Sequence, residues 1–428
     1  MKQRILLCLA HMSGKEMDFI KEAFDSNWVV PLGPNVNGFE QDLENFVNTI
    51  SPSSPDKSKK ANLHKKVVAL SSGTAAVHLA LVACDVQPGD EVIVQSFTFC
   101  ASSHPVTYLG ATPVFVDSER ETWNMDPVLL ETAIKDRIKI TGKKPKAIIP
   151  VALYGMPYQI DKIMEISERY DIPVIEDAAE GLGSRFNGQV LGTFGKFGVL
   201  SFNGNKMITT SGGGALICPD EASKNEIMFF ATQARESYPY YQHEKIGFNY
   251  RMSNICAGIG RGQMTILNDH IRHHQHVQAL YEELLKHVEG INVHKSPSPI
   301  YDSNYWLCTA TLDPELKIKN QHLAYAETVK GAVGGAAGVT HAAKSSHTEC
   351  EPNSNVEALR MALDAANIEA RPLWKPMHMQ PVYKNNPACV NGVSESLFKI
   401  GFCLPAGPWV SDDDVKYIVN TIQNSIER

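Results

Sequence analysis

The stretch VVALSSGTAAVHLAL (67–81) sets the architecture: a valine-rich apolar run, a Ser-Ser-Gly turn, then an apolar helical pattern beginning at Thr74. A strand that breaks at a glycine and passes straight into a helix is the opening unit of an α/β layer. The same alternation extends outward from it, over about Lys66 to Cys218. EVIVQ (91–95), TPVFV (112–116), AIIPVAL (147–153), IPVIED (172–177) and FGVLSF (197–202) read as further strands. Several are apolar on both faces, as a sheet covered by helices on both sides requires. Between them lie patterns such as Ile160, Ile163, Met164 and Ser167, whose spacing turns one helical face inward. The expected fold class is α/β with a mostly parallel sheet in a large first domain.

After about Asn254 the texture changes. A long helical pattern runs from Met264 to Leu285, a Pro/Ser turn follows at SPSPI (296–300), and the remainder mixes strands and helices. SDDDVKYIVNTIQNSI closes the chain as a helix with Asp residues in its first turn, where they oppose the helix dipole. The expected division is a large domain with an N-terminal arm over 1–260 and a smaller α+β domain over 261–428. SPSSPDKSKKANLHKK (51–66) is polar and turn-rich, an expected exposed loop. GAVGGAAGVTHAAKSSHTECEPNSN (331–355) is small and polar, a loop or an ordered surface excursion.

Composition excludes several classes. The 428 residues hold 40 Lys+Arg against 47 Asp+Glu, a net charge of −7, with 43% hydrophobic residues. That balance suits a globular chain with a large core and gives no basic footprint for nucleic acid or an anionic membrane. Nine cysteines, an odd number with no CxxC among them, suggest neither a disulfide framework nor a zinc finger. In MKQRILLCLAH the apolar run is short and no cleavage site follows, so it reads as a packed segment. No apolar run approaches a membrane span. A cytoplasmic protein without nucleic-acid or membrane partners is expected.

Neither GxGxxG after a strand nor GxxxxGK[ST] occurs, which disfavours Rossmann dehydrogenases and P-loop NTPases; HExxH and GxSxG are absent too. Three features remain. In SSGTAAVHLAL (71–81) a helix start offers amides and a hydroxyl suited to phosphate, though an ordinary capped helix reads the same way. IPVIEDAAEGLGS (172–184) puts acids at the carboxyl end of a buried strand, where open α/β sheets place ligands. Asp177 and Glu180, three apart, can both face that crevice, or can simply cap a helix. FGVLSFNGNKMITTSGGGAL (197–216) delivers Ser201, then Lys206 in a Gly-rich turn, where a lysine can approach a cofactor and form a Schiff base; a lone lysine is more often a surface charge. Together the three supply what pyridoxal phosphate needs: a lysine for its aldehyde, an acid for its ring nitrogen and an anchor for its phosphate. HIRHHQH puts His270, His273 and His274 on one predicted helix. Only His270 and His274 share a face, and without a third partner in view this reads as a solvated face, so no metal is expected.

SGTAAVHLAL, EDAAEGLGS, SFNGNKMITTSGGGAL and NYRMSNICAGIGRGQM resemble the DegT/DnrJ/EryC1/StrS sugar aminotransferases, from about Ser13 to the C-terminus. With RPLWKPMHMQPVY (371–383) and WVVPLGPNVNGFE (28–40), the likeness narrows to UDP-4-amino-sugar transaminases of the bacillosamine pathway type. The resemblance implies the aspartate-aminotransferase-like fold, type I among pyridoxal-phosphate enzymes, and a homodimer with shared active sites. It implies Lys206 as the lysine that carries pyridoxal 5'-phosphate and Asp177 as the partner of the pyridine nitrogen. Gly73, Thr74, Ala75 and Ser201 are implied at the phosphate, Phe99 on the ring face, and Asn249 at the neighbouring subunit's phosphate. Glu180 stands where many relatives carry Gln or His, and the resemblance leaves it beside the cofactor or the sugar. Gly33, Lys375, Met377 and His378 are implied at the sugar nucleotide. Lys206 separates the chain from the family's dehydratases, which carry His there. The segment 320–355 is longer than a minimal member needs. The implied reaction moves the amino group of L-glutamate to the C4 ketone of a UDP-linked 2-acetamido-4-keto-2,6-dideoxyhexose. A silent ligand-binding protein on the same fold, or another pyridoxal enzyme such as a lyase, stays open at this point.

Overall fold

Alternation along the strands decides the layers. In β1 (Lys66–Leu70), Val67 and Ala69 join one buried cluster while Val68 and Leu70 join a second. In β2 (Glu91–Gln95), Ile93 falls in the first cluster, and Val92 and Val94 in the second. Successive side chains of a strand point to opposite faces, so both faces of this sheet are core. The computed structural model describes residues 4–51, 63–325 and 350–427. The central parts of the expected loop at 51–66 and of the excess at 320–355 lie outside the described residues.

The remaining strands of the sheet are β3 (Thr112–Val116), β4 (Ile148–Ile149), β5 (Ile175–Asp177), β6 (Phe197–Ser201), β7 (Gly214–Cys218) and β8 (Ala388–Cys389). Hydrogen bonding gives β1-β7-β6-β5 and β8-β3-β2-β4, and parallel bridges Ile148↔Val174 and Val151↔Asp177 join β4 to β5. Only β7 runs antiparallel to its neighbours; the other pairings are parallel. The sheet is therefore mostly parallel, as the sequence indicates.

A second, antiparallel sheet has the order Ile291–Val293, Cys308–Leu312, Gly401–Leu404, Arg371–Pro372. It shares a third buried cluster with helices Leu267–Leu285, Ser354–Ala365 and Asp412–Ser425. The last helix is capped reciprocally by Ser411 and Asp414. Ile5 belongs to this cluster and pairs with Ile368, while Leu7 and Cys8 of the same apolar run pack against the first cluster. Met377 and Tyr383 pack instead on the larger sheet. The helix read from Met264 to Leu285 is present as Leu267–Leu285, starting three residues later because Thr265 and Ile266 separate it from a preceding helix, Asn254–Met264. No described helix is long and apolar enough to cross a membrane.

Candidate active site

Because β7 is antiparallel to both β1 and β6, those two strands run the same way, and β5 runs with them. Their carboxyl ends therefore meet at one edge of the sheet, where Gly73, Asp177 and Ser201 emerge. Adjacent acids of β5 part company there. Glu176 turns to the scaffold and accepts the amides of Gly192, Phe194 and Gly195 at 3.1, 2.6 and 2.6 Å. Asp177 turns to the edge, where Ser102 Oγ donates to Oδ2 at 2.6 Å and the Ala179 amide to Oδ1 at 3.1 Å. Burial pushes the Asp177 carboxyl upward, opposed by those two hydrogen bonds and by the Lys206 charge.

Lys206 reaches back from the turn after β6. Its Nζ donates to Glu180 Oε1 at 3.1 Å and lies 4.1 Å from the centroid of the Trp306 ring. Glu180 Oε2 accepts the Tyr154 amide at 2.7 Å, which fixes the carboxylate between a backbone donor and the ammonium. Burial raises the Glu180 carboxyl, and the Lys206 charge works against it. A buried pair of this kind adds little to stability but is costly to break from one side, because a charge is then left alone.

Helix Gly73–Ala83 begins beside Ser201: a Cβ at Gly73 would lie 3.0 Å from Ser201 Cβ. Glycine thus lets the first turn of the helix close on the serine, with Thr74 next to it. The Ala75 amide is taken by Ser72 Oγ at 3.0 Å, the N-cap bond of the helix. Phe99 is 54% exposed, and its ring stands 5.5 Å from Trp374, whose amide donates to Tyr154 Oη at 2.9 Å. His378 is half-buried, bonded through Nδ1 to Ser96 Oγ at 2.6 Å, with its imidazole pKa pushed down by burial. Met377 is buried and donates its amide to Ser96 O at 2.8 Å. Lys375 Nζ donates to Cys350 O at 3.1 Å.

Two residues stand apart from this cluster. Gly33 opens helix Pro34–Val47 with φ of 137°, and a Cβ there would press within 2.8 Å of Asn254 Oδ1. Asn249 is exposed and bridges to Thr232 at the edge beside β1.

The donor set suits pyridoxal 5'-phosphate on geometric grounds. A buried carboxylate suits a protonated ring nitrogen, the helix start with Thr74 and Ser201 suits a phosphate, and a part-buried amine suits an aldehyde. Sequence reasoning did not single out Ser102, Tyr154 or Trp306. Ser102 sits 75 residues from its partner Asp177, and Tyr154 adopts a positive φ of 53° that no side chain of its type announces. Trp374 stood in a quoted motif without a role.

The histidine helix is corrected. His270 is 4% and His274 0% exposed, so this is a buried face and not a solvated one. Each ring bonds a carbonyl, His270 Nδ1 to Met207 O at 3.0 Å and His274 Nδ1 to Tyr305 O at 3.1 Å, which lets a neutral imidazole enter the core. No group of three or more metal-ligating side chains occurs among the described residues.

The sequence model of the DegT/DnrJ/EryC1/StrS aminotransferase family matches residues 11–336 and 337–423. EpsN of Bacillus subtilis (strain 168), named as a pyridoxal phosphate-dependent aminotransferase, is 41% identical across 99% of this chain and 96% of its own length. GDP-perosamine synthase of Escherichia coli O157:H7 is 32% identical across 96% of this chain and 95% of its own. A crystal structure of a DegT DnrJ EryC1 StrS aminotransferase from Brucella abortus superposes with a TM-score of 0.78, at 26% identity and covering 96% and 95% of the two chains.

Proposed function

The chain belongs to the DegT/DnrJ/EryC1/StrS aminotransferase family, with the type I fold and pyridoxal 5'-phosphate as its cofactor, and on that premise we propose that its acceptor is a UDP-linked 2-acetamido-4-keto-2,6-dideoxyhexose, aminated at C4 with L-glutamate as donor. The observation that carries the reading is a lysine, Lys206, 3.1 Å from the buried Glu180 and within electrostatic reach of the buried Asp177. A surface lysine has no such surroundings.

When bound, the cofactor supplies an electron sink for the pair left behind as a proton leaves carbon. Asp177 would pair with the ring nitrogen and favour its protonated form. Thr74, Ser201 and the helix start at Gly73 would hold the phosphate, while the Ala75 amide expected there is spent on Ser72 Oγ, and Phe99 would pack against the cofactor ring. Lys206 would hold the cofactor through its amine and, when that amine is free, would take up and give back a proton at Nζ. Glu180 orients that amine. Lys375, Met377 and His378, with Gly33, serve the sugar nucleotide. Met12, Met17, Phe24, Trp28 and Leu32 are exposed apolar side chains over one short N-terminal span, which supports a homodimer in which Asn249 serves the partner's site.

Absorbance of the purified protein before and after L-glutamate tests the reading. A band at the visible edge that glutamate abolishes is expected; no band after reconstitution with pyridoxal phosphate overturns it. A second reading concerns the nucleotide, because the similarity to GDP-perosamine synthase runs along 96% of the chain. UDP- and GDP-linked 4-keto sugars offered in parallel decide it. Turnover of the GDP sugar alone replaces the UDP assignment.

A further inference from the structure

Trp306 has no part in the reading above, yet its geometry is tightly set. It is 3% exposed, its indole N–H donates to Asn205 O at 2.6 Å, and its amide donates to Asn304 Oδ1 at 2.9 Å. One flank stacks near-parallel on Tyr154, with centroids 6.4 Å apart and planes at 15°. The Lys206 ammonium lies 4.1 Å from the ring centroid, within the range of a cation–π contact. Asn205, whose carbonyl holds the indole, precedes Lys206 in the chain, so the ring and the lysine turn are fixed to each other.

The two partners of the ammonium differ in kind. Glu180 is a base as well as an anion, so an amine pressed on it alone can surrender its proton and its charge together. A π face attracts the cation without offering a site for the proton. Between the two, an amine that has taken up a proton keeps an attractive partner in the ring even when Glu180 is itself protonated. Resting on the assignment of Lys206 as the cofactor lysine, we propose that Trp306 is a positioning residue that seats the freed Lys206 amine against Glu180. The seat keeps the protonated amine at the site until it delivers its proton, instead of letting its long stem swing to solvent.

The test uses the cofactor-loaded protein and the series Trp306→Phe and Trp306→Leu, followed by single-turnover decay of the visible band with L-glutamate. The rate is expected to fall in the order Trp, Phe, Leu, with Leu slower by about 10- to 30-fold, the range a desolvated cation–π contact supports. The KM for L-glutamate stays near its original value, because the seat acts on the amine and not on the donor. A Leu variant within about threefold of the parent overturns the proposal. Equal losses in Phe and Leu overturn it too, since they indicate packing alone. Indole emission gives a second readout that does not depend on turnover. Lys206→Met removes the cation and is expected to change the emission of the full-length protein, and the change vanishes in a Trp306→Phe background. This arm holds even where Trp306→Leu fails to fold, and absence of any emission change counts against the seat. A Lys206→Ala protein that keeps the visible band and its response to glutamate instead removes the assignment on which the seat rests.

Discussion

Two sets of buried titratable side chains meet at the lysine turn, and the protein treats them in opposite ways. On one side Lys206 bonds Glu180 and its charge reaches Asp177, working against the burial that pushes both carboxyls up. On the other, His270 binds the carbonyl of Met207, the residue next to Lys206, while His274 binds that of Tyr305. Burial pushes both imidazoles down, His274 to about 3, so they rest neutral. Placing a charge in the interior is costly unless it is paired, and a neutral ring with one satisfied N–H avoids that cost. The contrast separates chemistry from scaffold: an opposite charge bonds Glu180 and opposes burial there, whereas the bonded partners of His270 and His274 are backbone carbonyls and, for His270, the His11 ring.

The sharpest way to break this contrast is Lys206→Ala. If the charged side is the working side, the variant loses the visible band and all measurable turnover while the histidine helix keeps its fold by circular dichroism. Appreciable turnover would make the pocket one more buried ion pair. Asp177→Asn comes next. The amide keeps the shape and a contact with Ser102 but removes the negative charge, and turnover is expected to fall by about 10²-fold, as for loss of one preorganised electrostatic partner. A near-parental rate in a steady-state assay would mean that another residue meets the ring nitrogen.

The same contrast explains what was legible in the sequence. The strands from VVAL to FGVLSF and the three features around Gly73, Asp177 and Lys206 are local: each is written in a dozen contiguous residues, because a strand end, a turn and a helix start are neighbours in the chain. The structure brings these three to one edge of the sheet. The partners that complete the site come from far away. Ser102, Tyr154 and Trp306 reach it through the packing of distant strand ends and of the second sheet, and no local spacing encodes that. The histidine helix failed for a related reason. HIRHHQH is polar in composition, and polar residues at helical spacing ordinarily face water. What buries His270 and His274 is the presence of the carbonyls of Met207 and Tyr305, residues that lie 63 and 31 positions away.

The smallest of these effects is the most diagnostic of the difference between the two sides. The His274 pKa sits at about 3 when folded, against an ordinary 6.5. The unfolded chain therefore takes up a proton below pH 6.5 that the folded protein refuses. The stability His274 contributes is complete above that pH and drains away as pH falls toward the folded value, by up to about 1.4 kcal/mol per pH unit. His294, pushed down to about 4 by burial, adds in the same sense. Asp177 and Glu180 act the other way: their raised carboxyls give stability at low pH that is lost as pH rises through the folded values. Urea unfolding at pH 7.5, 6.5, 5.5 and 4.5 (approximate steps across that window) compares the parent with His274→Gln. The variant starts less stable at the top of the range, since its packing against the Tyr305 carbonyl is poorer, but its decline below pH 6.5 is shallower. An unchanged slope would mean that His274 carries its charge in the folded protein, and the scaffold side would then follow the same rule as the pocket.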